Sequence, residues 1–424
     1  VKHYILYWNL LKRIQRKKLN YYVISKLFRI CYNSFCIFQL MEEIFLKKSL
    51  LWAQYIGFIT IGLVSSIFGP MISAIRHDIP MSYQQTGLIL SAQSFGMLIM
   101  IIISGLIIDK LGKKPFLLLG GLFLFFGLVG GAIAKSYYLL VASTIIIGFG
   151  FGSYEVGIAA LCADYNQENP GQAMNYLHFF FGAGAISGPI LATISIKTLD
   201  SWRFCYALTA IFPLIVSLLL LTSPLPRLSH VSTKNKAFPF RHPFLWFLGL
   251  SMLIYVGFEV SIYNWLPVFW QTLETRSSFS PSLSSSVFWL TLSVGRILMS
   301  RFSDRIGLSH FLTLASLSNV LIVLGWYLLP PGLTLPLVAL IGFALSCVFP
   351  VIMAWGTSSF PGWSGQISSF LIIFSSLGGL LIPSNLGNLA DLFGIKILPL
   401  ALLVLASGLF VTLVIAWGLK RVTS

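Results

Sequence analysis

Three ionisable residues lie where a very apolar chain should not tolerate them. Glu155 in GFGFGSYEVGIAALCADY, Glu259 in YVGFEVSIYNWLP and Arg296 in GRILMSRFSDRIG each interrupt a long apolar run. A charged side chain at mid-helix in a bilayer costs about 2.5–3.5 kcal/mol, so such residues face a cavity, pair with one another or carry function. A carboxyl group that meets water from either side in turn can take up a proton on one side and release it on the other. Glu155 is placed for that work, or for a structural ion pair with Arg296. Glu259 could accept hydrogen bonds from a polyol or carry the proton itself. Arg296 either pairs across the molecule or snorkels its head group toward the membrane surface.

A second polar group stands in NYLHFFFGAGAISGP, residues 175–189. Asn175 and His178 are three apart and share a helix face. His178 either bonds a neighbouring helix or takes part in gating, substrate binding or proton handling. Gly184 and Gly188, four apart, let another helix pack closely. Pro189 is tolerated where a cavity or a neighbour satisfies the freed carbonyl. Asn264 and Asn385 carry amides that offer both donor and acceptor to hydroxyl groups. Trp265, Trp355, Phe179 and Tyr154 are candidate apolar platforms under a ring-shaped ligand.

The elements that position these residues follow from composition. The chain has 424 residues, 57% hydrophobic and only 9% charged, with a mean hydropathy of +0.87. Soluble domains carry roughly 25% charged residues, so this chain belongs in a bilayer. A helix needs about 20 apolar residues to cross the hydrocarbon core. Twelve spans are expected, near 52–75, 84–108, 115–134, 137–163, 172–197, 202–222, 243–270, 282–303, 310–329, 334–356, 366–390 and 396–419. They are too long and continuous for barrel strands. The predicted fold is an all-α membrane protein.

The net charge of +16 is spread asymmetrically. With both termini cytoplasmic, cytoplasmic segments hold 21 Lys and Arg against six outside, and eleven against six without residues 1–48. That is the positive-inside bias of a multi-pass protein of the cytoplasmic membrane, and it points away from nucleic acid as a partner. Residues 1–48 form a basic N-terminal extension, read either as a basic interfacial helix or, the favoured reading, as a stretch upstream of a start at Met41 with no function of its own. Cys31, Cys36, Cys162, Cys205 and Cys347 show no metal or disulfide spacing. No phosphate-binding GxxxxGK[ST] loop, metal-ligand cluster or serine nucleophile elbow occurs, so neither a cofactor nor enzymatic chemistry is expected.

The chain repeats at an offset near 194 residues. GAGAISGP (182–189) aligns with SLGGLLIP (376–383), GFGFG (148–152) with GFALS (342–346), and GLIIDKLGKK (105–114) with SRFSDRIGLS (300–309). Two six-span lobes follow, at 49–222 and 243–424, joined by a basic linker at 223–242. Such lobes place a substrate near the membrane midplane between them.

GLIIDKLGKK resembles the loop between helices 2 and 3 of the major facilitator superfamily, with lysines at Lys110, Lys113 and Lys114 in place of arginines. The resemblance implies that Asp109 holds a helix end at a gate and favours the outward-facing state. Gly105 and Gly112 would permit close approach and a tight turn, and Asp304 and Arg305 would serve the second lobe. The stretches around 175–189, 255–267, 295–307 and 346–352 look like helices 5, 7, 8 and 10 of the fucose/galactose:proton symporter group. That group implies proton-coupled uptake of a sugar or similar solute by a monomer, with Glu155 as the coupling acid. The chain departs from the group in two places: span 1 has no acid, and Ala159 stands where an Asn is common. Rival readings are a proton-driven multidrug exporter of the same fold, a non-transporting membrane sensor and, least favoured, a polytopic membrane enzyme.

Overall fold

The computed structural model describes residues 49–165, 170–223, 242–273, 280–360 and 363–423. The N-terminal extension and nearly all of the linker lie outside the described residues, as do the side chains of Asp109, Lys110, Asn175 and Asp304. Among the described residues there are helices and no strands.

Among the described residues, twelve helical segments are long and apolar enough to cross a bilayer. They are span 1 (Ser49–Ser66), span 2 (Tyr83–Ser104), span 3 (Lys113–Ala132), span 4 (Tyr137–Cys162), span 5 (Tyr176–Thr198) and span 6 (Arg203–Thr222) in the first lobe. The second lobe holds span 7 (Pro243–Gln271), span 8 (Pro281–Met299), span 9 (Leu308–Leu328), span 10 (Pro331–Ser359), span 11 (Gln366–Phe393) and span 12 (Ile395–Arg421). Twelve crossings leave both described ends on one face, the terminal face; the other is the far face.

Three helices break where the hydropathy pattern runs on. Span 1 breaks at Ile67 and resumes as Phe68–Asp78, span 6 breaks at Ala210, and span 10 breaks at Ser346 and Cys347. Proline follows three residues after Ile67, Ala210 and Cys347, as Pro70, Pro213 and Pro350. A proline has no N–H for the carbonyl four residues back and crowds it, so the helix opens there. Pro189, Pro267 and Pro383 sit inside unbroken helices.

The internal repeat is visible in the packing. A Cβ on Gly184 of span 5 would run into the Ile59 carbonyl of span 1. Shifted by 194 residues, a Cβ on Gly378 of span 11 would run into the Leu253 carbonyl of span 7. Gly148 of span 4 lies against Gly96 of span 2, and its counterpart Gly342 against Thr291. Gly112 and Gly307 adopt positive φ, 83° and 89°, at equivalent turns, a conformation that requires glycine. Without a hydrophobic effect between helices in lipid, close backbone contact of this kind holds the bundle together.

The lobes meet along three seams: span 2 with span 11, span 5 with span 8, and span 1 with span 7. At the far face they are in direct contact. Gly69 lies on the backbone of Tyr263 and Asn264, Ser73 Oγ donates to Gln271 Oε1 at 2.6 Å, and Ser282 Oγ donates to the Pro70 carbonyl at 3.2 Å. Within the first lobe, Asp78 closes the far end of span 1 onto span 6. Its Oδ2 accepts from Arg203 Nη1 at 2.6 Å and Trp202 Nε1 at 2.9 Å. The Arg203 guanidinium, and after it the Trp202 indole, holds this carboxyl below the usual Asp value.

Two outcomes are expected. Gly184→Ala forces a backbone shift and should cost about 1–3 kcal/mol, lowering the melting temperature of the purified protein. Gly418→Ala, with open space around it, should stay within about 0.5 kcal/mol. Asp78 has a depressed folded-state pKa, so its contribution is complete above the ordinary Asp value near pH ~4 and is lost as pH falls through the lower folded value. Melting curves of Asp78→Asn should therefore lose part of the acid-side slope seen in the wild type.

Candidate functional site

Between the lobes lies a cavity of about 670 Å³, within the range of small-molecule sites, about 300–1,000 Å³. Leu308, Ala354 and Ile372, near the terminal-face ends of spans 9, 10 and 11, line its mouth. With the far face closed, the cavity opens toward the terminal face.

Four of the ionisable residues picked out by sequence meet there. Glu155 and His178 enter from the first lobe, and Glu259 and Arg296 from the second. Both carboxyl groups and the imidazole are half-buried, and the Arg296 charge acts on all three. Among the described residues, Arg296 forms no direct ion pair with either glutamate. Arg296 is thus a cation shared between acids of opposite lobes rather than the fixed partner of one.

Its position is set by the break in span 10. Pro350 leaves the Ser346 carbonyl without its helical partner, and Arg296 Nε donates to that oxygen at 3.1 Å. The same break frees the Leu345 carbonyl, which lies 3.4 Å from Tyr255 Oη. Tyr255 donates to Glu259 Oε1 at 3.2 Å, one helical turn along span 7. A discontinuous helix here supplies acceptors at membrane depth, where irregular backbone is tolerated only beside protein or a cavity.

The rest of the lining is mixed. Gln93, Ser94, Ser375 and Ser376 offer hydrogen-bonding groups, and Phe151, Phe181, Phe349 and Trp289 offer apolar faces. Phe181 and Trp289 meet across the lobes edge to face, centroids 5.7 Å apart. Asn264 also lines the cavity, with its Nδ2 donating to the Val260 carbonyl at 2.9 Å.

Other expected ligands lie elsewhere. Tyr154 is fully buried among Gly57, Gly120 and Gly121 in the first lobe. Trp265 is fully buried beside Tyr83 at the far face. Asn385 is exposed, donates to the Leu381 carbonyl of its own helix at 2.7 Å, and does not line the cavity. Trp355 packs against Phe244, and Phe179 is exposed. Tyr154, Trp265 and Trp355 are thus packed away from the cavity, and Phe179 and Asn385 lie on the outer surface. Gly182 faces Ser293 of the other lobe, while Gly188 faces Ser66 in span 1. In the gate motif, Lys113 Nζ donates to the Ala160 carbonyl at 3.2 Å, and Lys114 Nζ donates to the carbonyls of Leu221 at 3.0 Å and Ser223 at 2.9 Å. These lysines cap the ends of spans 4 and 6 within their own lobe, where cations suit the helix dipole. Arg305 is exposed in the last turn of its helix.

Two six-helix lobes around a polar central cavity define a secondary-transporter architecture. The chain matches the Major Facilitator Superfamily profile over residues 55–383 and belongs to that family, whose members are transporters rather than enzymes. It is 24% identical over 348 residues to the glucose/mannose transporter GlcP of Bacillus subtilis (strain 168), spanning 78% of this chain and 86% of that one. It is 23% identical over 389 residues to the sodium-dependent glucose transporter 1A of Mus musculus, covering 79% and 88% respectively. The crystal structure of a D-xylose-proton symporter superposes with a TM-score of 0.72 at 15% identity, covering 88% of this chain and 97% of that one. The chain is thus a multi-pass membrane protein of the Major Facilitator Superfamily.

The span 10 break gives a direct test. Pro350→Ala restores an N–H for the Ser346 carbonyl and removes the acceptor from Arg296. Transport by the variant should fall about tenfold, from losing a hydrogen bond to a charged group, while its melting temperature holds or rises, since Ala favours helix.

Proposed function

We propose that the chain carries out proton-coupled uptake of a sugar or a similar small polar solute by alternating access, in the cytoplasmic membrane. The observation that supports this most is the convergence of Glu155, Glu259 and Arg296, from opposite lobes, on one central cavity. When the lobes rock, the distance of Glu155 from Arg296 changes, and a change in that distance shifts the balance between its charged and protonated forms. Glu155 is the proton-coupling group. Glu259, fixed by Tyr255, carries the proton or accepts hydrogen bonds from the solute. His178, Asn175 and Asn264 line or gate the path, and the aromatic walls take the apolar faces of a ring. Asp109, Lys110, Asp304 and Arg305 would stabilise gates at the terminal face.

The charge asymmetry of the loops supports cytoplasmic termini, and with that orientation the described state faces inward. The bundle carries its whole cavity within one chain, consistent with a functional monomer. The lobes are 49–222 and 243–424, with the linker at 223–242. The mouse relative is named for sodium dependence, which makes sodium the competing coupling ion.

The test uses purified protein in proteoliposomes with glucose, mannose, xylose and a nucleoside as solutes. An inward proton gradient should drive accumulation that a protonophore abolishes. Glu155→Gln should lose uphill accumulation at least tenfold yet keep solute exchange at equal concentrations. Accumulation driven by a sodium gradient alone, or an unimpaired Glu155→Gln, would overturn the coupling. Dye extrusion without sugar movement would favour the exporter.

A further inference from the structure

The far-face end of span 2 is capped by residues from both lobes. The first four N–H groups of a helix have no partner within it. In the helix Tyr83–Leu111, Ser82 begins a capping box: Gln85 N donates to Ser82 Oγ at 3.1 Å and Ser82 N donates to Gln85 Oε1 at 2.9 Å. The first two helical amides are left over. Tyr83 N donates to Asp391 Oδ1 at 2.8 Å and Gln84 N donates to Asp391 Oδ2 at 2.7 Å. Asp391 stands on span 11, in the other lobe.

Glycines bring the carboxylate there. Gly387, one turn before Asp391, lies against the Tyr83 carbonyl, and Gly87 lies against the Pro383 carbonyl. The Arg76 guanidinium sits 3.8 Å from the Tyr83 ring centroid and donates from Nε to the Met81 carbonyl at 3.0 Å, fixing the turn that presents the amides. The pseudo-symmetric position in the first lobe, 194 residues earlier, is Lys197. A cation cannot cap a helix N-terminus, so Lys197 is no counterpart of Asp391.

We infer that Asp391 is a gating residue: its carboxylate on one lobe completes the helix cap of the other and latches the far face shut. The latch acts through a charge-assisted pair of hydrogen bonds along a helix dipole, which favours an anion at that end. Opening the far face separates Asp391 from the two amides and leaves water to replace it. Because Asp391 is exposed, salt screens the attraction, and the latch sets a population rather than a lock. The inference rests on the lobes moving as proposed above, but on neither the solute nor the coupling ion.

The experiment reads seam opening by alkylation. Ser282 is buried at the far-face seam, and Ser282→Cys in a background lacking the native cysteines reports its exposure to a maleimide. Asp391→Ala should speed alkylation roughly tenfold, and Asp391→Asn, which keeps one acceptor oxygen without the charge, by a smaller factor. Added salt should speed the Asp391 protein and not Asp391→Ala. Cys205, fully buried within the first lobe, retained alone as a control, should react no faster in either variant. Wild-type rates in both variants, a salt effect that survives Asp391→Ala, or equal acceleration at Cys205 would each overturn the latch. Because the readout needs no transport, a failed uptake assay and a failed latch remain distinguishable.

Discussion

The structure depends on one constraint: a polar group at membrane depth must find a partner inside the protein. Arg296 meets it through a backbone oxygen that Pro350 releases. The cation is therefore held by a fixed dipole and is not bound to either carboxyl group. Had Arg296 formed a close pair with Glu155, separating the lobes would mean breaking a buried ion pair, at a cost of several kcal/mol. A shared cation leaves both acids able to respond to water, solute and each other. Tyr255 extends the arrangement by joining Glu259 to the second carbonyl released by the same break.

Around this centre the rest of the bundle is glycine-lined contact. Spans 1 and 5 of the first lobe, and spans 7 and 11 of the second, touch backbone to backbone through Gly184 and Gly378. Such contacts are stiff within a lobe. Between lobes, glycine contacts at Gly69, Gly87 and Gly387 are joined by polar ones: Ser73 with Gln271, Ser282 with Pro70, and Asp391 with the end of span 2. Hydrogen bonds between the halves, which water can replace, are the contacts that the proposed rocking would break. The glycines, the helix breaks and the polar seam are three expressions of the same fold.

Much of this was legible in the sequence. Twelve spans, the 194-residue repeat and the positions of Glu155, Glu259, His178 and Arg296 follow from apolar run length, motif spacing and the cost of charge in lipid. Where the reading failed, the reason is physical. Helices apolar on every side have no stripe marking the inner face, so Tyr154, Trp265 and Asn385 could not be told from lining residues. Phe151, Phe181 and Trp289 look no different from them in one dimension. Pro350 was visible, but not that the carbonyl it frees would meet Arg296 from another span. Asp391 reads as an ordinary loop-end charge until span 2 is placed beside it. Gln93 gave only the weak signal of an amide in an apolar run.

The central claim is that solute and proton movement are linked through the shared cation. The most direct measurement is the pH change in a weakly buffered suspension of proteoliposomes when sugar is added with no ion gradient imposed. Sugar flowing inward should carry protons with it, raising the external pH, and a protonophore should collapse the signal. Sugar entry with no pH change in a sodium-free medium would contradict that claim.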